Sequence, residues 1–396
     1  MHSHTPNTID FSNSEIAFRG KSSTDLRSAY YLFKVMNNQM MVALGKKMIN
    51  LAFAIHFPVK GILRATIYRH FVGGTSIDDC SKALSRLEKR NVSAILDYAL
   101  EGEESETIFD ATAEEVKRTI RYAHEHKNSV PFSAFKPTGV GRFGLMAKVS
   151  ANEPLTEEES TEFDRLKNRI ESIFREGYDL GIPVLIDAEE SWIQPFLDDF
   201  VMELMAKYNQ QKAIVQNTYQ MYRHDSIARI KQHHQMALDG GFRFGLKIVR
   251  GAYMEKERKR ATEMGYEDPI QPDKMATDRD FDDITRYFVE HHQTIDFMMA
   301  THNEKSSLLL AELIDEYKLP RNHPAISFSQ LYGMSDHITY NLADAGYNVI
   351  KYIPYAEVKT MMPYLFRRAE ENTSVKGQSS RELRMIEKEL RRRKGV

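Results

Sequence analysis

The sequence predicts a (β/α)8 TIM-type barrel preceded by a helical region, and three observations carry that expectation. Eight short runs rich in β-branched and aromatic residues recur along the chain, amphipathic stretches separate them, and most runs end in a polar or charged residue. Nearly continuous apolarity over the length of one strand suits parallel strands covered on both faces. Strand alternating with helix eight times predicts a closed parallel sheet whose site lies at the C-terminal ends of its strands.

The runs are Val92 to Tyr98, Val130 to Lys136, Pro183 to Glu189, Ala213 to Tyr219, Arg243 to Gly251, Ile295 to Asn303, Ala325 to Tyr332 and Asn348 to Tyr355. Stretches such as Glu157 to Leu180, Ile193 to Asn209 and Glu304 to Tyr317 read as the helices between them. Ahead of the barrel, Ser23 to Asn91 has helical periodicity, broken at Phe71-Val72-Gly73-Gly74-Thr75, where the glycines are expected to end one helix and Thr75 or Ser76 to cap the next. The expected organisation is a helical region over 1–91, a barrel over 92–372 and a basic tail over 373–396. The charged connection between Tyr253 and Asp280 is longer than the others and reads as a lid or specificity loop.

With 396 residues, 42% hydrophobic and 28% charged, the chain can bury a large core. A net charge of −2 gives no nucleic-acid footprint, so an anionic ligand would need local charge. The one cysteine, Cys80, excludes an intramolecular disulfide framework and reads as a packed helical residue. No signal peptide is readable at the start. The most apolar stretch, Met40 to Ile67, is interrupted by Lys46, Lys47, Pro58, Lys60 and Arg64, so it reads as a core or partner-facing helix, or one lying on a membrane surface. Arg381 to Val396 reads as a solvated terminal helix, with attraction to an anionic membrane as the alternative.

The strand ends should carry the chemistry. In order they offer Glu101 beyond the first run, then Lys136, Asp187, Gln216, Lys247 with Arg250, His302, Gln330 and Tyr352. After the eighth run, Arg367 and Arg368 differ by about 100° around a helix, and paired guanidiniums suit a carboxylate or phosphate. Lys136 and Asp187 could face each other across the barrel mouth. No phosphate loop of the Gly-x4-Gly-Lys-Ser/Thr type and no G-x-S-x-G occurs, and a dinucleotide-type glycine loop opening a helix is not expected. The histidine pairs His233-His234 and His291-His292 read as structural, whereas His302 ends a strand in Ala300-Thr301-His302-Asn303, where it could serve a metal, a proton transfer or a cofactor.

Together, Phe135-Lys136, Ile186 to Glu190, Val215 to Tyr219, Lys247 to Tyr253, Ala300 to Asn303, Gln330 to Met334 and the Tyr364 to Asn372 helix resemble proline dehydrogenase, in order and at suitable spacing. That resemblance implies FAD bound noncovalently at the C-terminal end of the barrel. It implies oxidation of L-proline to Δ1-pyrroline-5-carboxylate by hydride transfer to flavin N5, with electrons passed to a quinone. No aldehyde dehydrogenase module is recognisable, which implies a separate pyrroline-5-carboxylate dehydrogenase as the partner enzyme. A cytoplasmic location, peripheral on the inner face of a membrane, is expected.

Residue by residue, Arg367, Arg368 and Lys136 match the positions that clamp the substrate carboxylate, Tyr352 and Leu331 the wall of the proline pocket, Asp187 the carboxylate beside the flavin, and Glu101 an acid pairing with one clamp arginine. Gln216, Lys247, Val249, Arg250, Gly251, Ala252, Thr301, His302, Asn303 and Glu371 match flavin contacts. Lys247 stands where some relatives have Arg, and supplies a cation without the planar fork. The competing readings are a 4-hydroxyproline dehydrogenase, against which the bulk of Tyr352 argues, a Schiff-base barrel lyase using Lys136 or Lys247, and a proline-sensing barrel without turnover.

Overall fold

Eight parallel strands follow one another in the order of a closed barrel. They are β1 (Ser93–Tyr98), β2 (Phe132–Phe135), β3 (Val184–Ile186), β4 (Val215–Gln220), β5 (Phe244–Val249), β6 (Ile295–Ala300), β7 (Ile326–Leu331) and β8 (Val349–Tyr355). The computed structural model describes residues 9–100, 104–374 and 378–395, with backbone alone described over 370–374 and 378–380. Each strand lies inside the run that predicts it, except that β4 extends one residue further, to Gln220. Runs such as Pro183 to Glu189 outlast their strand because β3 leaves the ladder after Ile186, where the chain turns and its polar residues begin.

Two compact units make up the chain, residues 94–329 and residues 1–93 with 330–396. In the first, the ladder sets Thr218 of β4 beside Lys247 of β5, and Lys247 beside Met298 of β6. Its longest helix, Glu157–Leu180, begins at a capping box in which Thr156 and Glu159 satisfy each other's backbone N–H, and ends at Gly181 with φ 68°. Leu166, Ile170, Ile173 and Phe174 form its buried face. Arg169, itself buried, joins it to the helix Glu106–Glu125 by donating to Asp110 at 2.6 Å.

The Tyr253 to Asp280 connection corrects the loop expected there. It contains the helix Met254–Met264, closed by Gly265 at φ 72°, and the next helix starts at Lys274. Only Glu257 and Ala261 of the former are buried, too few apolar positions to register as a helical period. The buried Glu257 carboxylate accepts the Ser191 N–H at 2.7 Å and the Ser191 hydroxyl at 2.6 Å, anchoring the helix by a polar contact.

In the second unit, Gly73 and Gly74 serve close approach. A Cβ on Gly73 would overlap Ile353, and one on Gly74 would overlap Asp79. The Tyr68 hydroxyl lies 2.6 Å from the Gly74 carbonyl and 2.7 Å from that of Ala356. Cys80 is buried, and burial pushes its thiol up to about 12, so it is an inert packing residue. The helix Gln378–Lys394 is packed along one face and not merely solvated: Met385 and Ile386 are buried, Glu389 accepts the Ser14 hydroxyl, and Arg393 donates to the carbonyls of Phe18 and Lys21 at 2.8 Å.

Thr156→Ala removes one half of the capping box and should lower unfolding free energy by about 1 kcal/mol. A urea titration with unchanged slope and a lower midpoint is the expected result.

Candidate active site

The strand ends of the unit 94–329 carry buried charge among buried polar and apolar side chains, which is costly unless each charge is partnered. Lys136, one residue past β2, places its ammonium 3.1 Å from the Asp97 carboxylate of β1. Lys247, in β5, donates to Asp187, which follows β3 and is fixed there by its own N–H on the Phe135 carbonyl at 2.9 Å. Lys136 and Asp187 therefore each have an ion-pair partner other than the cross-mouth pairing expected between them. Gln216 of β4 is buried, its side-chain amide donating to the Ala213 carbonyl at 3.0 Å.

Arg250 follows β5 and is held on every side of its fork. Its Nε donates to Asp278 at 2.7 Å, its terminal nitrogens to Thr301 Oγ1 at 2.7 Å and Ser306 Oγ at 3.0 Å, and its guanidinium lies 4.2 Å from the Phe281 ring centroid. Gly251 adopts φ 128°, and a Cβ there would meet the Tyr222 ring at 2.6 Å, so only glycine fits. Val249 and Arg250 are half-buried, whereas Gly251 and Ala252 are exposed. Thr301 is buried, His302 is half-buried beside it, and Asn303 caps the helix Glu304–Glu316 by accepting the Lys305 N–H at 2.9 Å.

In the other unit, Leu331 ends β7 half-buried and Tyr352 is buried in β8. Arg367 and Arg368 lie on the helix Met362–Ser374. Arg368 is buried, 5.1 Å from the Tyr364 ring centroid, and Arg367 is half-buried. Glu101 lies outside the described residues, as does the side chain of Glu371.

Two acids join the set without having been singled out. Asp97 interrupts the apolar run of β1, and that interruption was the available signal. Glu189 is buried and accepts the Thr138 N–H at 3.1 Å and hydroxyl at 2.8 Å. Its burial raises its carboxyl from 4.5 to about 7, against the opposing pull of the Lys136 charge and the Thr138 donors. One pattern needs correction: Gly139-Val140-Gly141-Arg142-Phe143-Gly144 does spell G-x-G-x-x-G between β2 and the helix Phe143–Ser150. Its central glycine is used for packing, because a Cβ on Gly141 would overlap Leu166, and Gly139 lies close to Thr112.

Because Glu189 has a higher pKa folded than unfolded, its contribution to stability is complete below about pH 4.5 and is lost as pH rises through about 7. Glu189→Gln should therefore gain stability relative to the parent protein across that window. Denaturant titrations at several pH values would show a widening difference, and a difference independent of pH would contradict the assignment.

Comparison with known proteins gives a consistent family. Residues 80–381 match the family model for proline dehydrogenase. The chain is 30% identical to proline dehydrogenase 1, mitochondrial, of Dictyostelium discoideum, over 98% of this chain and 75% of that protein. It is 32% identical to the carbapenem antibiotics biosynthesis protein CarD of Pectobacterium carotovorum subsp. carotovorum, over 84% of this chain and 86% of that one. Among solved structures, proline utilization A from Bdellovibrio bacteriovorus, inactivated by N-propargylglycine, shares the fold with a TM-score of 0.71 at 22% identity, over 92% of this chain. The chain spans 38% of the length of that solved protein.

Proposed function

Because the chain belongs to the proline dehydrogenase family, we propose that it oxidises L-proline to Δ1-pyrroline-5-carboxylate with FAD as cofactor and a quinone as onward electron acceptor. The observation that carries this reading is the polar lining of the strand ends in residues 94–329, where Gln216, Lys247 and Thr301 are buried in place of apolar side chains. Such a donor set fits a flavin. Gln216 and Lys247 offer an amide and a cation to the polar edge of the ring system, and Arg250 offers a guanidinium held rigid by three side-chain acceptors. Val249, Gly251, Ala252, His302, Asn303 and Glu371 complete the proposed contacts. When bound, FAD supplies a two-electron acceptor at N5 and passes the electrons on.

The chain's own residues bind and orient the substrate. Arg367, Arg368 and Lys136 are proposed to take the carboxylate, and fixed orientation removes a large part of such a barrier. Tyr352 and Leu331 supply the apolar wall, which excludes water and favours the neutral amine whose lone pair forms the imine. Asp187 holds Lys247 in place from the opposite side of the ion pair. Glu101 is proposed to pair with a clamp arginine.

Membrane contact is part of the reading. Among the described residues no helix is long and apolar enough to cross a membrane. The helix Gln39–Ala54 nevertheless exposes Met40, Leu44, Met48 and Leu51, a stripe at helical spacing, with Lys46 and Lys47 beside it. That pattern supports peripheral contact with a membrane surface; a cytoplasmic location on the inner face, and a separate enzyme removing the pyrroline product, are proposed with it.

Arg367→Met and Arg368→Met should each raise the KM for L-proline by about an order of magnitude, since each deletes a charge-assisted bond worth roughly 1.5–3 kcal/mol. Unchanged KM and kcat in both variants would place the clamp elsewhere. Tyr352→Ser should move the ratio of kcat/KM values toward trans-4-hydroxy-L-proline, because loss of the ring costs proline about 1–3 kcal/mol while opening space for a hydroxyl. Kinetics with both substrates test this, and a ratio that does not move removes Tyr352 from the pocket.

A further inference from the structure

Lys351 precedes Tyr352 in β8 and its side chain is completely buried. A buried ammonium persists only where its protons find acceptors. Lys351 has three: the Leu331 carbonyl at 3.2 Å, the Met334 carbonyl, and Asp336 Oδ1 at 3.1 Å. The two carbonyls lie near either end of the turn that leaves β7, so one ammonium ties the turn across itself.

That turn does not hold its shape by local preference. Gly333 has φ 80° and Ser335 has φ 51°, the latter a left-handed conformation unfavourable for a residue with a side chain. A Cβ on Gly333 would overlap the His70 carbonyl, so the turn is pressed against a neighbour that cannot yield. Surrounding groups impose the conformation. Lys21 takes the other oxygen of Asp336 at 2.6 Å, Glu382 accepts the Ser335 N–H, and His70 Nε2 lies 2.9 Å from the Gly333 carbonyl. Burial holds the His70 imidazole down to about 3, so it is neutral and donates to that carbonyl from Nε2. Two more bonds fix the neighbouring backbone and strand end: the Tyr332 N–H on the Tyr352 carbonyl at 2.9 Å, and the Thr339 hydroxyl on the Gln330 side-chain oxygen at 2.8 Å.

We propose that Lys351 is a positioning residue for the substrate pocket, acting through the turn from Leu331 to Ser335 and assisted from the far side by Glu382. The proposal rests on the reading that Leu331 and Tyr352 wall that pocket. Lys351 touches no substrate in this scheme. It holds the Leu331 carbonyl and sits next to Tyr352 in sequence, so it sets both wall residues from one point. Lys21 and Glu382 bring the two ends of the chain into the same assembly, which gives the C-terminal helix a part in substrate binding.

The test compares Lys351→Met, Glu382→Leu and Tyr352→Ser with the parent holoenzyme, measuring KM, kcat and flavin per chain with L-proline. Lys351→Met keeps the length of the side chain and leaves Asp336 paired with Lys21, but abandons both turn carbonyls. KM should rise about tenfold with kcat within about twofold and flavin content unchanged. Glu382→Leu should raise KM in the same direction, by about threefold, and carries the test if Lys351→Met does not fold. A lower melting temperature or flavin content with KM unchanged would mark a merely structural role and overturn the proposal. If Tyr352→Ser raises KM while the other two do not, the positioning role alone fails; if all three leave KM unchanged, the pocket reading fails with it.

Discussion

A charged side chain at the buried end of a barrel strand requires a partner of opposite sign, and the organisation of this protein depends on that constraint. Lys247 pairs with Asp187, Lys136 with Asp97, and Lys351 with Asp336. In each pair at least one member would be more stable in water, so the strand ends are maintained against the ordinary preference of the core. Replacing such a pair by packed hydrophobic residues is often neutral or stabilising for a fold. Stability alone therefore does not account for them, and on the proposed reading the acids hold the Lys247 and Lys136 ammonium groups for a ligand while Asp336 holds Lys351 against the turn after β7.

The same logic explains why the site is rigid. Arg250 is held by an acid, two hydroxyls and an aromatic face, so little of its side-chain freedom remains. Gly251 follows because the backbone passes against Tyr222 in a conformation a side chain would strain. Around β7 and β8 the turn containing Gly333 and Ser335 is held by Lys21, Lys351 and Glu382, drawn from distant parts of the sequence, and by the adjacent Asp336. The ion pairs of Lys351 and Lys21 with Asp336 fix one end of the turn, and the Lys351 hydrogen bond to the Leu331 carbonyl fixes the other.

Much of the fold was legible because strand and helix periods differ. The Glu157–Leu180 helix has its bounds written in a capping box and a terminal glycine. The Met254–Met264 helix was not legible, since its anchor is a buried glutamate in a run of charge and only one apolar residue faces inward. Candidate charges at Lys136, Asp187, Lys247 and Arg250 could be read from their place at strand ends, but not who pairs with whom: the side-chain partners of Lys247 and Lys136 come from different strands, and strand length alone does not specify them. Gly139 to Gly144 shows the converse, a glycine pattern with a familiar spelling whose central residue is required by Leu166. Lys351 was invisible as a positioning group because a lysine inside a strand run looks like an exposed residue until the acceptors around it are known.

On the proposed function, the polar strand ends hold a flavin that the carboxylate-bound substrate reduces. Anaerobic addition of L-proline to the purified protein, followed by its visible absorbance, tests it most directly. The expected result is a flavin spectrum that bleaches on addition of L-proline and recovers with a quinone. A folded protein that takes up no flavin, or a bound flavin that stays oxidised under excess L-proline, would contradict it.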